Sequence, residues 1–320
     1  CAANQKVGQF SESQILVRRA GFEPVFAGSV NFEREPFEFA ADKTLSDYRP
    51  MFIVAGQSAP INLEERIALA ANERGIPVVS ITDFWGGSFR TKAKLDGIVC
   101  LDQYDRSLAL RAHPKARKAI IAGNPGVPTP EERERMLAQA KALDPLRSRY
   151  TGILVYIGGA PERTTLDLTL VGACLEMTQG NMGLIFRPHP KHVNRTSSAG
   201  RRYGDMWNEM FLWLGEKYVG ECPEFPTDAV VASADVVIGD FSTMITTAAT
   251  LGKRTVSLVT PDSMEALAKL SNSLVIPQVH LGLSFPISEP TDLSKIKPPN
   301  ADAVSNLESF DGKLAYYLSF

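Results

Sequence analysis

Apolar runs of strand length alternate with longer segments of helical periodicity along this chain, which predicts parallel sheets covered by helices on both faces. In the first part of the chain, strands are expected at residues 22–26, 51–55, 77–81, 97–101 and 119–122. Helices are expected at residues 10–20 and 63–74, and each is followed by a glycine, Gly21 or Gly75, of the kind that commonly ends a helix. This part therefore predicts one α/β domain.

The same alternation returns in the second part of the chain. Strands are expected at residues 152–157, 184–187 and 255–259 and within 230–238, and helices at residues 166–177, 205–216, 243–251 and 262–270. Between the two parts, Thr129, Pro130 and Glu132 form the pattern of a capping box that begins a helix. The sequence therefore predicts domains at residues 1–126 and 151–320, joined by a linker helix at residues 127–150.

Composition and charge exclude several classes of protein. With 320 residues, of which 44% are hydrophobic, the chain is long enough for two domains of about 150 residues each. A formal net charge of -2 provides no basic field, so no nucleic-acid partner is expected. The apolar runs are much shorter than the roughly 20 residues that cross a bilayer, which leaves peripheral membrane association and the oligomeric state open.

Cysteine and histidine usage bears on redox state and metal binding. The four cysteines are scattered along the chain, which is typical of free thiols in the reducing cytoplasm. The closest pair of histidines is His189 and His192, and no D-x-D pattern occurs that would hold a divalent cation. We therefore expect a cytoplasmic protein without a metal site or a bound cofactor.

The clearest candidate for ligand binding is the loop Gly-Asp-Phe-Ser-Thr-Met at residues 239–244, between an apolar strand and a helix. The first N–H groups of a helix lack backbone partners and carry partial positive charge, so a helix start is a ready anion site. We expect a phosphate or nucleotide site formed by Asp240, Ser242, Thr243 and Thr246. The structural alternative is that Asp240 or Ser242 only caps the helix, and the two roles are compatible.

A restrained histidine follows the strand at residues 184–187. Arg187 and His189 each precede a proline, and this position favours extended backbone. Because His189 stands between Arg187 and Lys191, it is suited to donate a hydrogen bond to phosphate or to protonate a leaving phosphate. Arg187 is expected to bind the same phosphate. The alternative is a rigid strand exit that carries an exposed histidine.

Glycines and polar residues mark the other strand ends, where open α/β sheets bind their ligands. Gly158 and Gly159 allow close approach of the backbone to a ligand, although a simple turn explains them equally well. In the first domain, Asp83 is the candidate general base, with a turn or capping role as its alternative. An acceptor-binding surface is expected to include Asn4, Ser58, Gly86, Gly87 and Asn124.

Together these motifs resemble the GT-B class of glycosyltransferases, and in particular the branch of the CDP-glycerol glycerophosphotransferases and the capsule sialyl- and Kdo-transferases. The resemblance rests on Arg187-Pro188-His189-Pro190, on the stretch from Thr227-Asp228 to Ser242-Thr243, on Leu251-Gly252-Lys253 and on Gly123-Asn124-Pro125. It covers residues 120–260 well and the first domain in outline. Where the glycerophosphotransferases have a His-Gly pair, this chain has the sequence from Asp83 to Gly87, which leaves the acceptor chemistry open.

The resemblance implies two Rossmann-like domains whose parallel sheets face each other across a cleft. The second domain would bind a nucleotide-sugar donor, with His189, Ser242 and Thr243 at its phosphates and with Gly158 and Gly159 beside it. The first domain would bind a glycan or polyol acceptor. Enzymes of this class need no bound metal for catalysis.

The sequence thus favours a metal-independent glycosyltransferase that moves a sugar, or glycerol phosphate, from a nucleotide-activated donor in surface polysaccharide synthesis. Two alternatives share the expected architecture. A non-hydrolysing UDP-sugar 2-epimerase or hydrolase would act on the donor with no acceptor. A GT-B-like binding domain would retain the fold without catalytic activity.

Overall fold

The computed structural model describes residues 37–56, 63–189 and 195–310, and these form two compact units. The first unit contains the described residues up to Pro125, together with Leu270–Asn272 and residues 308–310. The second unit contains the described part of Gly126–Lys269 and Ser273–Leu307. The helix expected at residues 10–20 and the strand expected at residues 22–26 lie outside the described residues.

The first unit is built on a parallel sheet. Its described strands are β1 (Ile53–Ala55), β2 (Val78–Ile81), β3 (Gly97–Cys100) and β4 (Lys118–Ile121), in the order β1-β2-β3-β4. Its described helices are α1 (Phe37–Tyr48), α2 (Leu63–Glu73) and α3 (Gln103–Ala112). Because β2 and β3 are buried along their whole length, their nearly continuous apolar sequence is that of strands covered on both faces.

The second unit contains a larger parallel sheet. Its described strands are β5 (Gly152–Ile157), β6 (Met182–Arg187), β7 (Tyr218–Gly220), β8 (Val236–Gly239), β9 (Arg254–Leu258) and β10 (Phe285–Ile287). Their order in the sheet is β10-β9-β8-β5-β6-β7, and all neighbouring strands are parallel. This is the doubly wound order of a Rossmann-type sheet, with β5 as its first strand.

Helices surround this second sheet. Those described are α4 (Pro130–Ala140), α5 (Pro161–Met177), α6 (Tyr203–Leu214), α7 (Thr227–Ser233), α8 (Thr243–Thr250), α9 (Pro261–Ser271), α10 (Pro277–His280) and α11 (Ala301–Ser305). Alternate residues of β5 enter two different hydrophobic clusters: Leu154 and Tyr156 join one, and Ile153 and Val155 the other. In the described part of the chain, no helix combines the length and apolar character needed to cross a bilayer.

The helix start predicted at Thr129 is confirmed by its hydrogen bonds. The Thr129 hydroxyl accepts a hydrogen bond from the backbone N–H of Glu132 at 3.2 Å, and the Glu132 carboxylate accepts one from the backbone N–H of Thr129 at 3.0 Å. Farther along α4, Met136 and Ala140 are buried in a hydrophobic cluster that they share with β5 and β8. The segment expected as a linker helix therefore packs as part of the second unit.

Several elements differ from the sequence prediction. Helix α5 begins at Pro161, earlier than residue 166, because proline is well accommodated at the first helical position. The apolar run at residues 230–238 divides into the end of α7 and the strand β8, since a buried helix and a buried strand have the same apolar composition. The short elements β7 and β10 and the polar helix α3 lack a clear apolar period and escape prediction.

Candidate functional site

The topology of the second unit creates a switch point between β5 and β8. From β5 the chain continues to β6 and β7, toward one edge of the sheet. From β8 it continues to β9 and β10, toward the opposite edge. Pairing of Tyr156 with Ile238 brings the carboxyl ends of β5 and β8 side by side. Open α/β sheets bind their ligands at such a point, so the candidate site comprises the loops that follow these two strands.

Helix α8 begins at this switch point. Ser242 is its N-cap, and the Ser242 hydroxyl accepts a hydrogen bond from the backbone N–H of Met244 at 3.3 Å. Ser242, Thr243 and Met244 are all partly exposed, so solvent reaches the helix start and its partial positive charge. The capping role considered for Ser242 is confirmed, and phosphate binding at the same place stays a prediction.

Gln278 of α10 fixes the loop in front of α8. Its side-chain amide nitrogen donates to the backbone carbonyl of Phe241 at 3.3 Å and to that of Ser242 at 3.2 Å. Because Gln278 is fully buried, this contact is part of the core and holds the chain where it enters α8. No local sequence pattern connects Gln278 with Ser242, since 36 positions separate them.

The Asp240 carboxylate is buried in an ion pair. Its Oδ2 accepts hydrogen bonds from Nη2 of Arg163 at 2.7 Å and from Nε of Arg163 at 3.1 Å. The Arg163 and Asp240 side chains are 16% and 4% exposed, and the guanidinium lies 5.2 Å from the centre of the Phe241 ring. Asp240 thus holds the Arg163 guanidinium beside the switch point. A direct contact of the Asp240 carboxylate with a nucleotide stays a prediction.

Sequence reasoning missed Arg163, which lies in the first turn of α5. A helix start predicted at residue 166 leaves Arg163 in a loop without a role. The signal that could have found it is Pro161, because proline is favoured at the first helical position. With the true start, Arg163 follows the glycine loop of β5 directly and belongs to the switch point.

Packing leaves little room for a side chain at Gly158 or Gly159, and at Gly159 the ion pair is the reason. A Cβ atom at Gly159 would lie 2.6 Å from Oδ2 of Asp240 and 3.1 Å from Nη2 of Arg163. At Gly158 it would lie 3.1 Å from Cε2 of Phe186. Gly158 is buried and Gly159 is partly exposed, so Gly159 is the one of the two that can present backbone to a ligand.

A second buried carboxylate, Asp167, interacts electrostatically with Asp240. Oδ2 of Asp167 accepts a hydrogen bond from the Tyr156 hydroxyl at 3.1 Å. Burial, followed by the charge of Asp240, raises the pKa of Asp167 to about 7, although the Tyr156 hydrogen bond and Arg163 act in the opposite direction. Within the described residues, no group of three or more His, Cys, Asp or Glu side chains is arranged to hold a metal ion.

His189 reaches the same edge of the sheet as Ser242. It follows β6, which runs parallel to β5 and pairs with it along its whole length, so the carboxyl ends of these strands lie together. His189 is exposed and Ser242 is partly exposed. The structure therefore brings both residues to one accessible edge, as a shared phosphate site requires.

Arg187 and Thr246 are two other expected phosphate ligands, and their side chains lie against other parts of the protein. Nη1 of Arg187 donates to the backbone carbonyls of Glu221 and Cys222 at 2.9 and 2.8 Å, and Nη2 donates to the Thr227 hydroxyl at 2.9 Å. Arg187 therefore anchors the loop before α7, and a phosphate contact from its guanidinium stays a prediction. Thr246 is 0% exposed, so α8 directs it into the core and away from a ligand at the helix start.

In the first unit, Asp83 follows β2 and forms an ion pair with Arg90. Oδ1 of Asp83 lies 3.2 Å from Nη2 of Arg90, and the Asp83 side chain is 31% exposed. Burial raises the pKa of the Asp83 carboxyl, while the charge of Arg90 opposes that rise. Partial exposure and a raised pKa are compatible with a general base, and this role stays a prediction.

Asp105, which the sequence prediction does not include, organises the loop that contains Asp83. Its carboxylate accepts hydrogen bonds from the Thr82 hydroxyl at 2.5 Å and from the backbone N–H groups of Gly86 and Leu101 at 2.9 and 3.0 Å. Burial raises the pKa of Asp105 to about 6. The turn after β2 is therefore held by a buried carboxylate from α3.

The remaining residues expected at an acceptor surface have packing roles or lie outside the described residues. Gly86 has a φ of 74°, and a Cβ atom there would lie 2.9 Å from Cβ of Ser271. Gly87 is buried, and Asn124 is 2% exposed, with its backbone N–H donating to the carbonyl of Glu308 at 2.8 Å. The residues outside the described part of the chain are Asn4 and Ser58.

No protein-family model matches this sequence, and no curated protein matches it. Solved structures share its fold. S. aureus MnaA, in a co-structure with UDP, has a TM-score of 0.57 at 8% identity, over 97% of this chain and 87% of that chain. The UDP-GlcNAc 2-epimerase from Methanocaldococcus jannaschii has a TM-score of 0.55 at 14% identity, over 96% and 88%. The enzyme of that name from Neisseria meningitidis, bound to UDP-GlcNAc, has a TM-score of 0.53 at 11% identity, over 88% and 78%.

At these identities the similarity concerns the fold. Two parallel α/β sheets with GT-B-like structural neighbours confirm the fold class predicted from the sequence. The narrower resemblance to the glycerophosphotransferase and capsule transferase branch is not shown by these structures. The chain therefore shares the two-sheet α/β fold of these structures, and its candidate site lies at the Rossmann-type switch point of the second unit.

Proposed function

We propose that the second unit binds the nucleotide part of a UDP-sugar at the switch point, and that the protein acts on the sugar nucleotide itself, by 2-epimerisation or hydrolysis. One observation carries the proposal: the doubly wound sheet sets the loop after β5 beside the accessible start of α8. The diphosphate of UDP has the charge that a helix start stabilises, and no lysine is needed for such a contact.

The solved structures that share the fold support UDP as the nucleotide. The S. aureus structure contains UDP, and the N. meningitidis structure contains UDP-GlcNAc. Two of the three are UDP-GlcNAc 2-epimerases, and the similarity extends over most of this chain and of each of those chains. This agreement supports chemistry on the sugar nucleotide more than transfer to an acceptor.

Five of the predicted site residues have a place in this proposal. The first N–H groups of α8 and the hydroxyls of Ser242 and Thr243 bind the diphosphate, and Gly159 lets the loop after β5 approach it. His189 donates a hydrogen bond or a proton to the phosphate as its bond to the sugar weakens. Asp83 is the candidate general base of the first unit.

Glycosyl transfer from the same donor to a glycan or polyol is the second candidate. It is favoured by the motif Arg187-Pro188-His189-Pro190 together with Ser242-Thr243, which the chain shares with the transferases it resembles. The two reactions would use the same nucleotide site. They differ in whether turnover needs an acceptor.

Nucleotide titration tests the binding site. UDP should bind the purified protein, and Ser242→Ala should weaken binding roughly tenfold through loss of one hydrogen bond to a charged group. Asn300→Ala is the matched control, because the Asn300 side chain caps α11 by accepting from the N–H of Asp302 at 2.9 Å. Loss of either cap costs about 1 kcal/mol of stability, so only the Ser242 variant should lose affinity.

The absence of UDP binding would remove the proposed function, and binding of CDP, CMP or GDP in its place would indicate a different nucleotide. Incubation with UDP-GlcNAc alone then distinguishes the reactions by NMR. An epimerised sugar, or free sugar with UDP, supports chemistry on the donor, whereas turnover that requires an added glycan or polyol supports transfer. Binding without turnover in either case indicates a binding domain.

His189→Ala should reduce turnover more than UDP affinity, since negative charge on the phosphate grows in the transition state.

A further inference from the structure

We infer that the Arg163–Asp240 ion pair positions the two phosphate-facing loops of the switch point, so that each residue contributes to nucleotide affinity through the other. This inference rests on the proposed function, because it concerns the same site. It assigns Arg163 and Asp240 as positioning residues that shape the site without themselves contacting the ligand.

The pair joins the elements that form the two sides of the site. Arg163 lies in the first turn of α5, directly after the loop that follows β5, and Asp240 is the first residue after β8. Oδ2 of Asp240 accepts both hydrogen bonds from Arg163, and Oδ1 accepts the backbone N–H of Phe241 at 2.7 Å. One carboxylate therefore connects α5 with the backbone that leads into α8.

The surroundings of the pair hold it in one geometry. Both side chains are largely buried, at 16% and 4% exposure, where a charge-assisted hydrogen bond is stronger and less mobile than at the surface. The Phe241 ring lies against the guanidinium, and Gln278 holds the Phe241 carbonyl. At Gly159 there is no room for a side chain, because its Cβ would lie 2.6 Å from Oδ2 of Asp240.

A positioning role and a direct phosphate contact make different predictions for combined substitutions. If Arg163 and Asp240 act through their mutual contact, removing either one breaks the same interaction, and removing the second adds nothing. If Arg163 instead binds phosphate by itself, losing Asp240 and losing Arg163 are separate effects that add. Because Nη2 and Nε of Arg163 are both bonded to Asp240, the geometry points to the first case.

The experiment is a double-mutant cycle on UDP affinity. Arg163→Gln and Asp240→Asn should each weaken UDP binding at least roughly tenfold in the folded protein. The double variant should bind no more weakly than the weaker single variant. Arg163→Lys, which keeps the positive charge, should retain more affinity than Arg163→Gln, and it replaces that variant if Arg163→Gln does not fold.

The matched control is a second Arg–Asp pair in the same unit. Nη1 of Arg147 lies 3.1 Å from Oδ2 of Asp235, and that same oxygen accepts the N–H of Ile153 at 2.8 Å, so this pair joins the amino ends of β5 and β8. Arg147→Gln should lower stability and leave UDP affinity unchanged. It therefore separates a general loss of stability from a loss of site geometry.

The possible outcomes are distinct. A parent protein that binds no UDP removes the proposed function, and the inference with it. A parent that binds UDP, with folded Arg163→Gln and Asp240→Asn variants of unchanged affinity, shows that the pair only stabilises the fold. Losses that add in the double variant show that Arg163 acts on the ligand directly, which also overturns the inference.

Discussion

Accessibility divides the residues of the candidate site into two groups. Ser242, Thr243 and His189 are exposed or partly exposed at the carboxyl edge of the second sheet, whereas Asp240 and Thr246 are buried. The accessible residues can contact a ligand directly. The buried ones can affect it only through the residues that they hold, and this difference separates binding from positioning roles.

The buried carboxyl of Asp167 leads to a prediction about pH. Burial raises its pKa to about 7 from the ordinary value of 3.8, so between about pH 4 and pH 7 the folded protein keeps a proton that the unfolded chain has lost. This group therefore makes stability decrease as pH rises through that range, by at most about 1.4 kcal/mol per pH unit, and has little further effect above it.

Asp167→Asn should remove this contribution. Urea denaturation of the parent and the variant at several pH values measures the free energy of unfolding. The parent should gain stability relative to the variant as the pH is lowered from about 7 to about 4, in agreement with the sign of the linkage. A difference between the two proteins that stays constant with pH would contradict the assignment.

At the scale of elements, the connection between β5 and α5 is the most constrained part of the site. Gly159→Ala should lower both stability and UDP affinity, because the added Cβ would lie 2.6 Å from the ion-paired carboxylate of Asp240. Overpacking of this kind costs about 1–3 kcal/mol. Urea denaturation and UDP titration measure the two effects.

The control for Gly159→Ala is a glycine at the far end of α8. Gly252 has a φ of 73° and no atom within 4 Å of an added Cβ, so Gly252→Ala strains the backbone without touching the site. It should lower stability and keep parental UDP affinity. Equal affinities for both variants and the parent would show that the connection does not shape a nucleotide site.

Element starts with a local chemical cause are predictable from the sequence. The capping box at Thr129 and Glu132 is such a case, because both partners lie within one turn. The start of α5 at Pro161 has a local signal too, although the apolar period begins only later. The division between α7 and β8 has none, because a buried apolar run fits both structures and the neighbouring strands decide.

At the scale of the whole molecule, the chain forms two units with separate hydrophobic clusters, and its described end returns to the first. Ser309 pairs with Asn124 beyond the end of β4, and Phe310 is buried with residues of β2 and β3. The local sequence pattern does not indicate a contact between segments so far apart in the chain. The sequence prediction therefore assigns all of residues 151–320 to the second domain, whereas the structure places residues 308–310 in the first unit.

Hydrogen exchange tests the location of binding across the molecule. If UDP binds as proposed, it should slow exchange most strongly in the loops after β5 and β8 and in the first turn of α8, because bound ligand stabilises the conformation that it contacts. Strands β2 and β3 of the first unit should change less. Protection that is strongest in the first unit would place the nucleotide elsewhere.

The sequence by itself determined the α/β class, most helices and strands, and the strand-end loops that are proposed to bind phosphate, because side-chain period and helix capping depend on residues close in the chain. Only the tertiary structure decided the strand order that sets β5 beside β8, and the pairing of Arg163 with Asp240 across 77 positions. It also decided the burial of Thr246 and the anchoring of Arg187. These features depend on contacts between segments that are far apart in the sequence. Such contacts form, and stabilise the protein, only when the sheet has assembled.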